Sequence, residues 1–364
     1  MIKNISVKNF KSLKNVSIET KPLNLLMGLN GMGKSSFLQS LLLVKQSSNL
    51  YVRELQLTGR YADIGKGKDA LFQFAKDEII EIGISFSNTN SFNWKFNYEA
   101  DADKLISSIG YKKEELNLLT KELSQFQYLS ADRIGPLDIY DTQKSSVLRH
   151  DLGGRGEYTV HFLHINGNKI KIKEELQSRY VSDLSLINQV SGWLGEISPG
   201  ISLEVFEFPF IDKLLLNYKF ALKKGKTTGF RPKNVGFGVS FVLPIITSLL
   251  LPEKSNIIII ENPESHIHPR GQAELGRLIA LSAANGAQLF IETHSDHIIN
   301  GIRVAVKEGL INKNDVNISY FDKITTEFEQ YSQVTQIKVD ENGELSDYPK
   351  DFMDEWNNQL LKLI

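Results

Sequence analysis

The chain has 364 residues, a formal net charge of −1 at pH 7, 41% hydrophobic residues and 23% charged residues, which is an ordinary globular composition. This length exceeds one ordinary domain and predicts a large core with an insertion or an added lobe. The absence of cysteine excludes disulfides and thiolate metal sites, and the near-zero charge excludes a global attraction to nucleic acid. Because the chain has no bilayer-length apolar run and no signal-peptide pattern, we expect a cytoplasmic protein without membrane contact.

The N-terminal elements lead into a glycine-rich loop. Alternating apolar residues predict strands over Ile2–Phe10 and Leu13–Glu19, and the apolar run Leu23–Met27 predicts a third. The loop that follows reads Gly28-Leu-Asn-Gly-Met-Gly-Lys-Ser35, and Phe37–Val44 then predicts a helix. A strand, a Gly-x-x-x-x-Gly-Lys-Ser loop and a helix in this order are typical of a phosphate-binding loop.

This loop predicts a site for a nucleoside triphosphate. Its glycines allow successive amides to point at phosphate oxygens, and the helix N-terminus adds partial positive charge. We expect Lys34 to reach the β- and γ-phosphates and the Ser35 hydroxyl to bind magnesium. The loop residues expected to contact the nucleotide are Asn30, Gly31, Gly33, Lys34, Ser35 and Ser36.

The middle of the chain is predicted to mix strands and helices. Predicted strands cover residues 55–57, 79–86, 92–98, 128–131, 203–208 and 214–222. Predicted helices cover residues 104–126 and 173–194.

The C-terminal part alternates strands and helices. Predicted strands cover residues 256–260, 288–292, 316–321 and 334–339. Predicted helices cover residues 241–250, 272–284 and 296–307, with an amphipathic end over 352–363.

Three polar motifs accompany these C-terminal elements. The predicted strand 256–260 leads directly into Glu261. An acidic residue at the end of such a strand is where a nucleotide-bound magnesium is held. Thr293-His-Ser295 follows the next buried strand, and a histidine there can hydrogen-bond a γ-phosphate. Upstream, the segment Asn234–Ser240 contains Gly236 and Gly238 and predicts a second anion site, or simply a helix N-cap by Ser240.

The order of these motifs resembles the head of the ATP-binding-cassette (ABC) ATPases. The resemblance implies an α/β P-loop fold with a mixed central sheet, an antiparallel β subdomain and an α/β insertion. It implies ATP and Mg²⁺ as ligands, Glu261 as the magnesium-side acid and His294 as the switch histidine. In that class the signature residues, here Gly236, Gly238 and Ser240, close over the nucleotide of a partner chain. A homodimer around two ATP molecules, or a higher homo-oligomer, is therefore expected.

Finer details resemble the AAA ATPases related to the overcoming-lysogenization-defect (OLD) proteins. Glu261-Asn-Pro-Glu-Ser-His-Ile-His-Pro269 is similar to their (D/E)-x-P-E-x-x-x-H-P stretch, and Tyr128–Pro136 and Ile5–Leu13 are similar to two others. Asp351–Trp356 looks like the small domain of unknown function that ends one branch of these ATPases. OLD enzymes carry a Toprim nuclease with an Asp-x-Asp pair after the head. No such pair follows His294 in this sequence, so a nuclease or toxin effector is expected to be a separate chain.

The resemblance predicts four segments. These are an N-terminal part of the head (1–136), an insertion (137–230), a C-terminal part of the head (231–310) and a small C-terminal domain (311–364).

One position departs from the ABC pattern. The residue after the magnesium-side acid is usually a glutamate that orients the attacking water, and here it is Asn262. An amide can position water but cannot accept its proton. Either turnover is slow, or Glu264, Glu261 or His294 substitutes as the base.

Two further groups of residues have alternative interpretations. His266 and His268 with Glu264 have the spacing of metal ligands, although a role in orienting the loop before Pro269 is favoured. The basic residues of Lys213–Lys233 form either a solvated hairpin face or a contact to a nucleic-acid backbone.

The favoured function is an ATP-dependent switch that controls an effector in bacterial phage defence. The alternative is a compact ATPase similar to SMC or RecF that acts on DNA in repair. A transporter ATPase is disfavoured because the Leu-Ser-Gly-Gly-Gln signature is missing.

Overall fold

The structure is a computed structural model that describes residues 1–48, 53–251, 256–350 and 352–363. The chain divides into two compact units. Unit 1 comprises Met1–Phe126, Lys313–Asp340 and Glu344–Ile364, and unit 2 comprises Gln127–Asn312 and Glu341–Gly343. No helix in the described ranges is both long enough and apolar enough to cross a membrane.

Strands and helices follow one another in a mixed order. The strands are β1 (Ile2–Phe10), β2 (Leu13–Glu19), β3 (Leu23–Met27), β4 (Glu54–Gln56), β5 (Ile79–Phe86), β6 (Ser91–Asn97), β7 (Lys104–Ile106), β8 (Phe126–Leu129), β9 (Tyr140–Asp141), β10 (Ile201–Phe208), β11 (Lys213–Phe220), β12 (Ile257–Glu261), β13 (Gln288–Glu292), β14 (Val316–Thr325) and β15 (Gln330–Ile337). The helices are α1 (Lys34–Ser47), α2 (Gly67–Ala70), α3 (Lys113–Glu122), α4 (Lys144–Leu148), α5 (Thr159–Asn166), α6 (Leu186–Ile197), α7 (Phe237–Leu249), α8 (Pro269–Ala284), α9 (Asp296–Lys307) and α10 (Glu355–Leu361).

Unit 1 contains an antiparallel sheet in the order β2-β1-β5-β6 and the strand that precedes the glycine-rich loop. That strand, β3, is buried along its whole length, and four of its five residues are apolar. The C-terminal strand β14 pairs with β3 in parallel and with β15 in antiparallel, so parallel and antiparallel pairing occur together. The ring of Phe37 on α1 packs against Phe321 of β14 with their centroids 6.0 Å apart.

Unit 2 contains the parallel strands β12 and β13 and the antiparallel group β10-β11-β9. The helices that follow the two parallel strands, α8 and α9, pack closely through glycines. A Cβ atom on Gly276 would lie 2.3 Å from the Ile298 carbonyl oxygen, and one on Gly301 would lie 2.2 Å from that of Ala273. This close approach fixes the loops that precede both helices relative to each other.

The two helices predicted for the middle region, 104–126 and 173–194, are both shorter than predicted. Residues 104–106 pair with β4 as strand β7, with Leu105 buried, and only 113–122 are helical. In the predicted helix 173–194, the α-helix begins only at Leu186. The residues before it form a loop that is held by hydrogen bonds to the buried Gln189 side chain. Its amide accepts from the Ser178 backbone and donates to the carbonyls of Val181 and Asp183. The helix α5 was not predicted from the sequence.

Most other predicted elements are confirmed within a few residues. Strands β1, β2, β3, β5 and β13 and helix α9 have the predicted bounds. Helix α8 begins three residues earlier than predicted, at Pro269, and the amphipathic end shortens to α10. The predicted division into four segments stays a prediction.

Candidate functional site

The glycine-rich loop lies between β3 and α1 in unit 1, and its backbone requires glycine. Gly28, Gly31 and Gly33 have φ angles of 128°, 77° and 103°, a region that disfavours other residues. A Cβ atom on Gly28 would lie 2.1 Å from the Phe321 carbonyl oxygen, and one on Gly33 would lie 2.4 Å from Ser332 Oγ. The C-terminal strands β14 and β15 therefore contact the loop and restrict its sequence.

The loop has the positive character that a polyphosphate needs. Lys34 is the buried first residue of α1, and its Nζ donates to the carbonyls of Gly28 and Leu29, both at 2.8 Å. No side chain caps the N-terminus of α1, which begins after Gly33. An ammonium group and an uncapped helix N-terminus on one loop form an anion-binding arrangement, so these residues fit ATP with Mg²⁺.

The other loop residues predicted to contact nucleotide are accessible or close to the surface. Asn30, Gly31 and Ser35 are exposed, and Ser36 is half-buried. All lie on the same loop and its helix start, as the sequence pattern predicts.

In unit 2, Glu261 is the last residue of β12, and both of its carboxylate oxygens accept hydrogen bonds. Tyr128 Oη donates to Oε1 at 3.1 Å, and the Ala131 amide donates to Oε2 at 3.2 Å. Burial raises the pKa of the Glu261 carboxyl, and these bonds and the nearby Arg133 partly oppose that rise. Glu261 therefore has preorganised partners, and a bound divalent cation would favour its charged form.

A buried arginine fixes the backbone of the loop between β12 and α8 (residues 262–268), which we call the acidic loop. The guanidinium of Arg133, which is 1% exposed, donates to the carbonyls of Ser130 at 2.8 Å, Glu261 at 2.6 Å and Asn262 at 2.6 Å. Burial lowers the pKa of Arg133 to about 10, which leaves it protonated at neutral pH. This side chain determines where the carboxylate and the next residue lie.

The conformation of Asn262 explains why an amide residue suits this position. Its φ is +44°, in the left-handed region that asparagine tolerates and glutamate disfavours. The backbone N–H of Asn262 donates to the Glu292 carbonyl at 2.8 Å, and this bond connects the loop to the end of β13. The departure from the ABC pattern thus coincides with a backbone conformation that favours asparagine.

Glu264 connects the acidic loop to the predicted switch turn. Its Oε2 accepts from Thr293 Oγ1 at 2.7 Å, and its Oε1 accepts from the His294 amide at 2.9 Å. The next residue, Ser295, caps α9 through a hydrogen bond from the Ile298 amide at 3.1 Å. Unit 2 therefore brings Glu261, Asn262, Glu264 and the turn containing His294 together, and Glu264 orients that turn.

The glycine-rich segment before α7 differs from the prediction. The helix begins at Phe237 with Gly236 as its N-cap residue, so neither the predicted start at Phe241 nor an N-cap by Ser240 is correct. Ser240 is buried in the first turn, at 6% exposure, because one helical turn carries its side chain away from the exposed end.

The residues at the exposed end of α7 are Gly236 and Phe237. A Cβ atom on Gly236 would meet no atom within 4 Å, whereas one on Gly238 would lie 2.2 Å from the His266 carbonyl oxygen. Gly238 therefore serves close packing against the acidic loop, and Gly236 is the glycine that faces open space.

The two histidines of the acidic loop have structural partners. The ring of His266 packs edge-on against Phe241 with centroids 4.9 Å apart. His268 is the N-cap residue of α8, where its Nδ1 accepts from the Arg270 amide at 3.3 Å. These contacts support packing for His266 and helix capping for His268.

The basic segment Lys213–Lys233 is partly neutralised by neighbouring side chains. Three lysines form ion pairs: Lys213 with Asp141, Lys219 with Glu204 and Lys233 with Asp138. Lys223 and Lys224 are exposed in the turn after β11. This pattern favours a solvated hairpin face over a continuous nucleic-acid surface.

Three side chains that bond to the candidate site residues were missed by sequence reasoning: Tyr128, Arg133 and Thr293. The stretch Tyr128–Pro136 stood out only by resemblance, and nothing local to it indicates a contact with residues 261 and 262. Thr293 immediately precedes the predicted switch histidine, but its bond to Glu264 depends on the parallel pairing of β12 and β13.

The fold is that of an ABC-type ATPase head, as predicted. The chain is similar to the structure described as "Crystal structure of the SmcHead bound to the C-winged helix domain of ScpA", with a TM-score of 0.57, 15% identity, and coverage of 93% of this chain and 98% of that one. It is also similar to the Smc head domain with an extended coiled coil bound to the C-terminal domain of ScpA, derived from Pyrococcus furiosus. There the TM-score is 0.52 with 14% identity, covering 100% of this chain and 99% of that one.

The sequence matches two protein families. Residues 23–300 match the family described as "AAA domain, putative AbiEii toxin, Type IV TA system", and the chain belongs to this family. Residues 311–363 match the family described as "Protein of unknown function (DUF3696)", the segment that supplies β14 and β15. No curated protein matches the sequence.

Proposed function

We propose that this protein is an ATP-binding and ATP-hydrolysing switch that dimerises around ATP and controls a separately encoded effector. The observation that carries the proposal is the phosphate loop, with its positive-φ glycines, its buried Lys34 and an uncapped α1. In this proposal Lys34 and Ser35 hold the phosphates and magnesium, and Glu261 supplies the magnesium-side carboxylate.

Slow hydrolysis is part of the proposal. Asn262 cannot accept a proton, and both oxygens of Glu264 accept hydrogen bonds from Thr293 and His294. Glu261 and His294 remain as candidate bases. A long-lived ATP-bound state suits a switch better than a pump, which must cycle quickly.

The link between Glu264 and the switch turn supports a sensing role for His294. We expect His294 to contact the γ-phosphate. When hydrolysis removes the γ-phosphate, the turn that contains His294 then loses this contact. Glu264 would transmit that change to the acidic loop, because its carboxylate bonds to the turn directly.

We propose that Gly236 and Phe237, rather than the Ser240 hydroxyl, face the nucleotide of the partner chain. These two residues are exposed at the N-terminus of α7, whereas Ser240 is buried. A helix N-terminus with accessible amides can bind the phosphates of a nucleotide that another chain holds. Gly238 supports the same segment by close packing.

The family and the structural neighbours support a role that involves partner proteins. The family description refers to a toxin of a type IV toxin–antitoxin system, and both Smc heads are bound to domains of ScpA. We propose a cytoplasmic switch related to the OLD proteins that acts with a nuclease or toxin in bacterial phage defence. A compact SMC- or RecF-like ATPase acting on DNA is the alternative, supported by the Smc-head fold.

Nucleotide binding tests the first part of the proposal. Lys34→Ala removes the ammonium group from the loop, and calorimetry with ATP and Mg²⁺ should show loss of binding. Lys3→Ala, an exposed lysine on β1, is the matched control and should bind as the wild type does. If Lys34→Ala retains the wild-type affinity and a native circular dichroism spectrum, the loop is not the nucleotide site.

Complementation tests the dimer. Gly236→Glu places a negative charge at the exposed end of α7 without a steric clash in the chain itself. Neither Lys34→Ala nor Gly236→Glu homodimers should hydrolyse ATP, but a heterodimer retains one complete site and should recover about half of the activity. Proven heterodimers with no recovered activity would exclude the trans arrangement.

DNA binding separates the two functions. The switch predicts weak binding to duplex DNA, because Lys213, Lys219 and Lys233 are already paired with carboxylates. Tight, steeply salt-dependent binding that Lys223→Gln with Lys224→Gln abolishes would favour the repair alternative.

A further inference from the structure

A cavity of about 680 Å³ lies within unit 2. Its walls are the second half of α6, the segment 179–181, the start of β10 and the first turns of α8. We refer to it as the α6–α8 cavity. Its volume is in the range of small-molecule sites, which span roughly 300–1,000 Å³.

The carboxylates that line the α6–α8 cavity already have cationic partners. The recorded pairs are Glu196 with Arg179 at 3.3 Å and with Arg277 at 3.4 Å, Glu274 with Arg179 at 2.9 Å, and Glu204 with Lys219 at 2.6 Å. Glu196 is buried, so its charge is compensated inside the protein. The acidic groups therefore do not make the cavity attractive to a cation.

Two cationic side chains of the lining have no carboxylate partner within the described ranges. The Lys226 ammonium donates to Ser202 Oγ at 3.0 Å, and the Arg270 side chain is exposed. Arg270 is also the second residue of α8, where the helix dipole adds positive potential. The uncompensated charge of the cavity is thus positive.

The rest of the lining is largely apolar. Val181, Pro199, Ile201 and Leu203 contribute aliphatic surface. Tyr180 also lines the cavity and is 74% exposed, so its ring is available for stacking. A ligand that suits this lining combines an apolar or aromatic body with a negative group.

We propose that the α6–α8 cavity binds a small organic anion that carries a carboxylate or phosphate group on an apolar or aromatic body. The anionic group lies near Lys226 and Arg270, and the body lies against Tyr180 and its aliphatic neighbours. None of these residues belongs to the nucleotide motifs, so this site is independent of the proposed ATPase activity.

Three probes with the same ring test the proposal: 1-naphthyl phosphate, 1-naphthoate and the uncharged 1-naphthol. Their affinities are measured by ligand-observed NMR titration of the whole protein. We expect at least one anionic probe to bind at least tenfold more tightly than 1-naphthol. Tighter binding of the phosphate assigns a phosphate ligand, and tighter binding of the carboxylate assigns a carboxylate ligand.

A double variant, Lys226→Gln with Arg270→Gln, should weaken binding of the anionic probe at least tenfold. Both side chains are exposed, so the fold should survive. The matched control is Lys223→Gln with Lys224→Gln, which removes the same charge from a neighbouring turn outside the cavity and should bind as the wild type does. The proposal is overturned if neither anion binds more tightly than 1-naphthol, or if the cavity variant keeps the wild-type affinity.

Discussion

A carboxylate at position 262 should accelerate ATP hydrolysis but strain the loop that carries it. Asn262 has a φ of +44°, and its carbonyl accepts from Arg133 at 2.6 Å, so its backbone cannot move freely. Glutamate in the left-handed region costs about 1 kcal/mol relative to asparagine. A positioned base contributes about a hundredfold in rate, which corresponds to about 2.7 kcal/mol of barrier.

Three variants separate the effect of charge from that of strain. Asn262→Asp adds a carboxylate on a side chain that tolerates the left-handed region, Asn262→Glu adds a longer one with strain, and Asn262→Gln adds strain alone. We expect Asn262→Glu and Asn262→Gln to lose about 1 kcal/mol of stability and Asn262→Asp to lose little. Only the two acidic variants should release phosphate faster than the wild type.

The assay is steady-state phosphate release with saturating ATP and Mg²⁺, beside urea denaturation of each variant. If Asn262→Gln is as fast as Asn262→Glu, the gain does not come from a base. A wild type that is already fast, with neither acidic variant faster, would show that residue 262 does not limit the chemistry.

Three further predictions concern the groups around both loops. Arg133→Lys keeps the charge but cannot span three carbonyls, so it should lose about 2–4 kcal/mol in chemical denaturation; a loss below about 0.5 kcal/mol would contradict the role of the guanidinium. The pKa of Glu261 is raised in the folded protein, so its contribution to stability is present at low pH and is lost as pH rises through that pKa. The melting temperature of Glu261→Gln should therefore be higher than that of the wild type at pH 8, and this difference should decrease towards pH 5. A difference in melting temperature that increases on acidification would refute this. The variant should also hydrolyse ATP poorly. Gly28→Ala should lose about 3 kcal/mol, because its Cβ would lie 2.1 Å from the Phe321 oxygen, whereas Gly31→Ala, with open space around it, should lose about 1 kcal/mol; equal losses would contradict the steric explanation.

The local motifs could be predicted because each is a short, contiguous pattern. The apolar strand β3, the glycine loop and the start of α1 are adjacent in sequence, and their residue types alone indicate the backbone that they adopt. The same holds for the buried strand that ends at Glu261. Alternation of apolar and polar residues likewise predicted β1 and β2 with their correct bounds.

Local patterns were not sufficient where distant partners compete with helix propensity. Residues 104–106 pair with β4, and the chain before α6 bonds to the side chain of Gln189, so neither region continues as a helix. The start of α7 at Phe237 buries Ser240, although the sequence around Ser240 is compatible with a cap.

What the sequence determined by itself is the identity of the candidate site residues, since the glycine-rich loop, the acidic residue and the histidine are all visible in it. Only the tertiary structure decided their partners. The bonds from Arg133 to residues 261 and 262, and from Glu264 to Thr293 and His294, join segments that are far apart in sequence. Such contacts depend on how strands are placed side by side, and side-chain chemistry alone does not specify that placement.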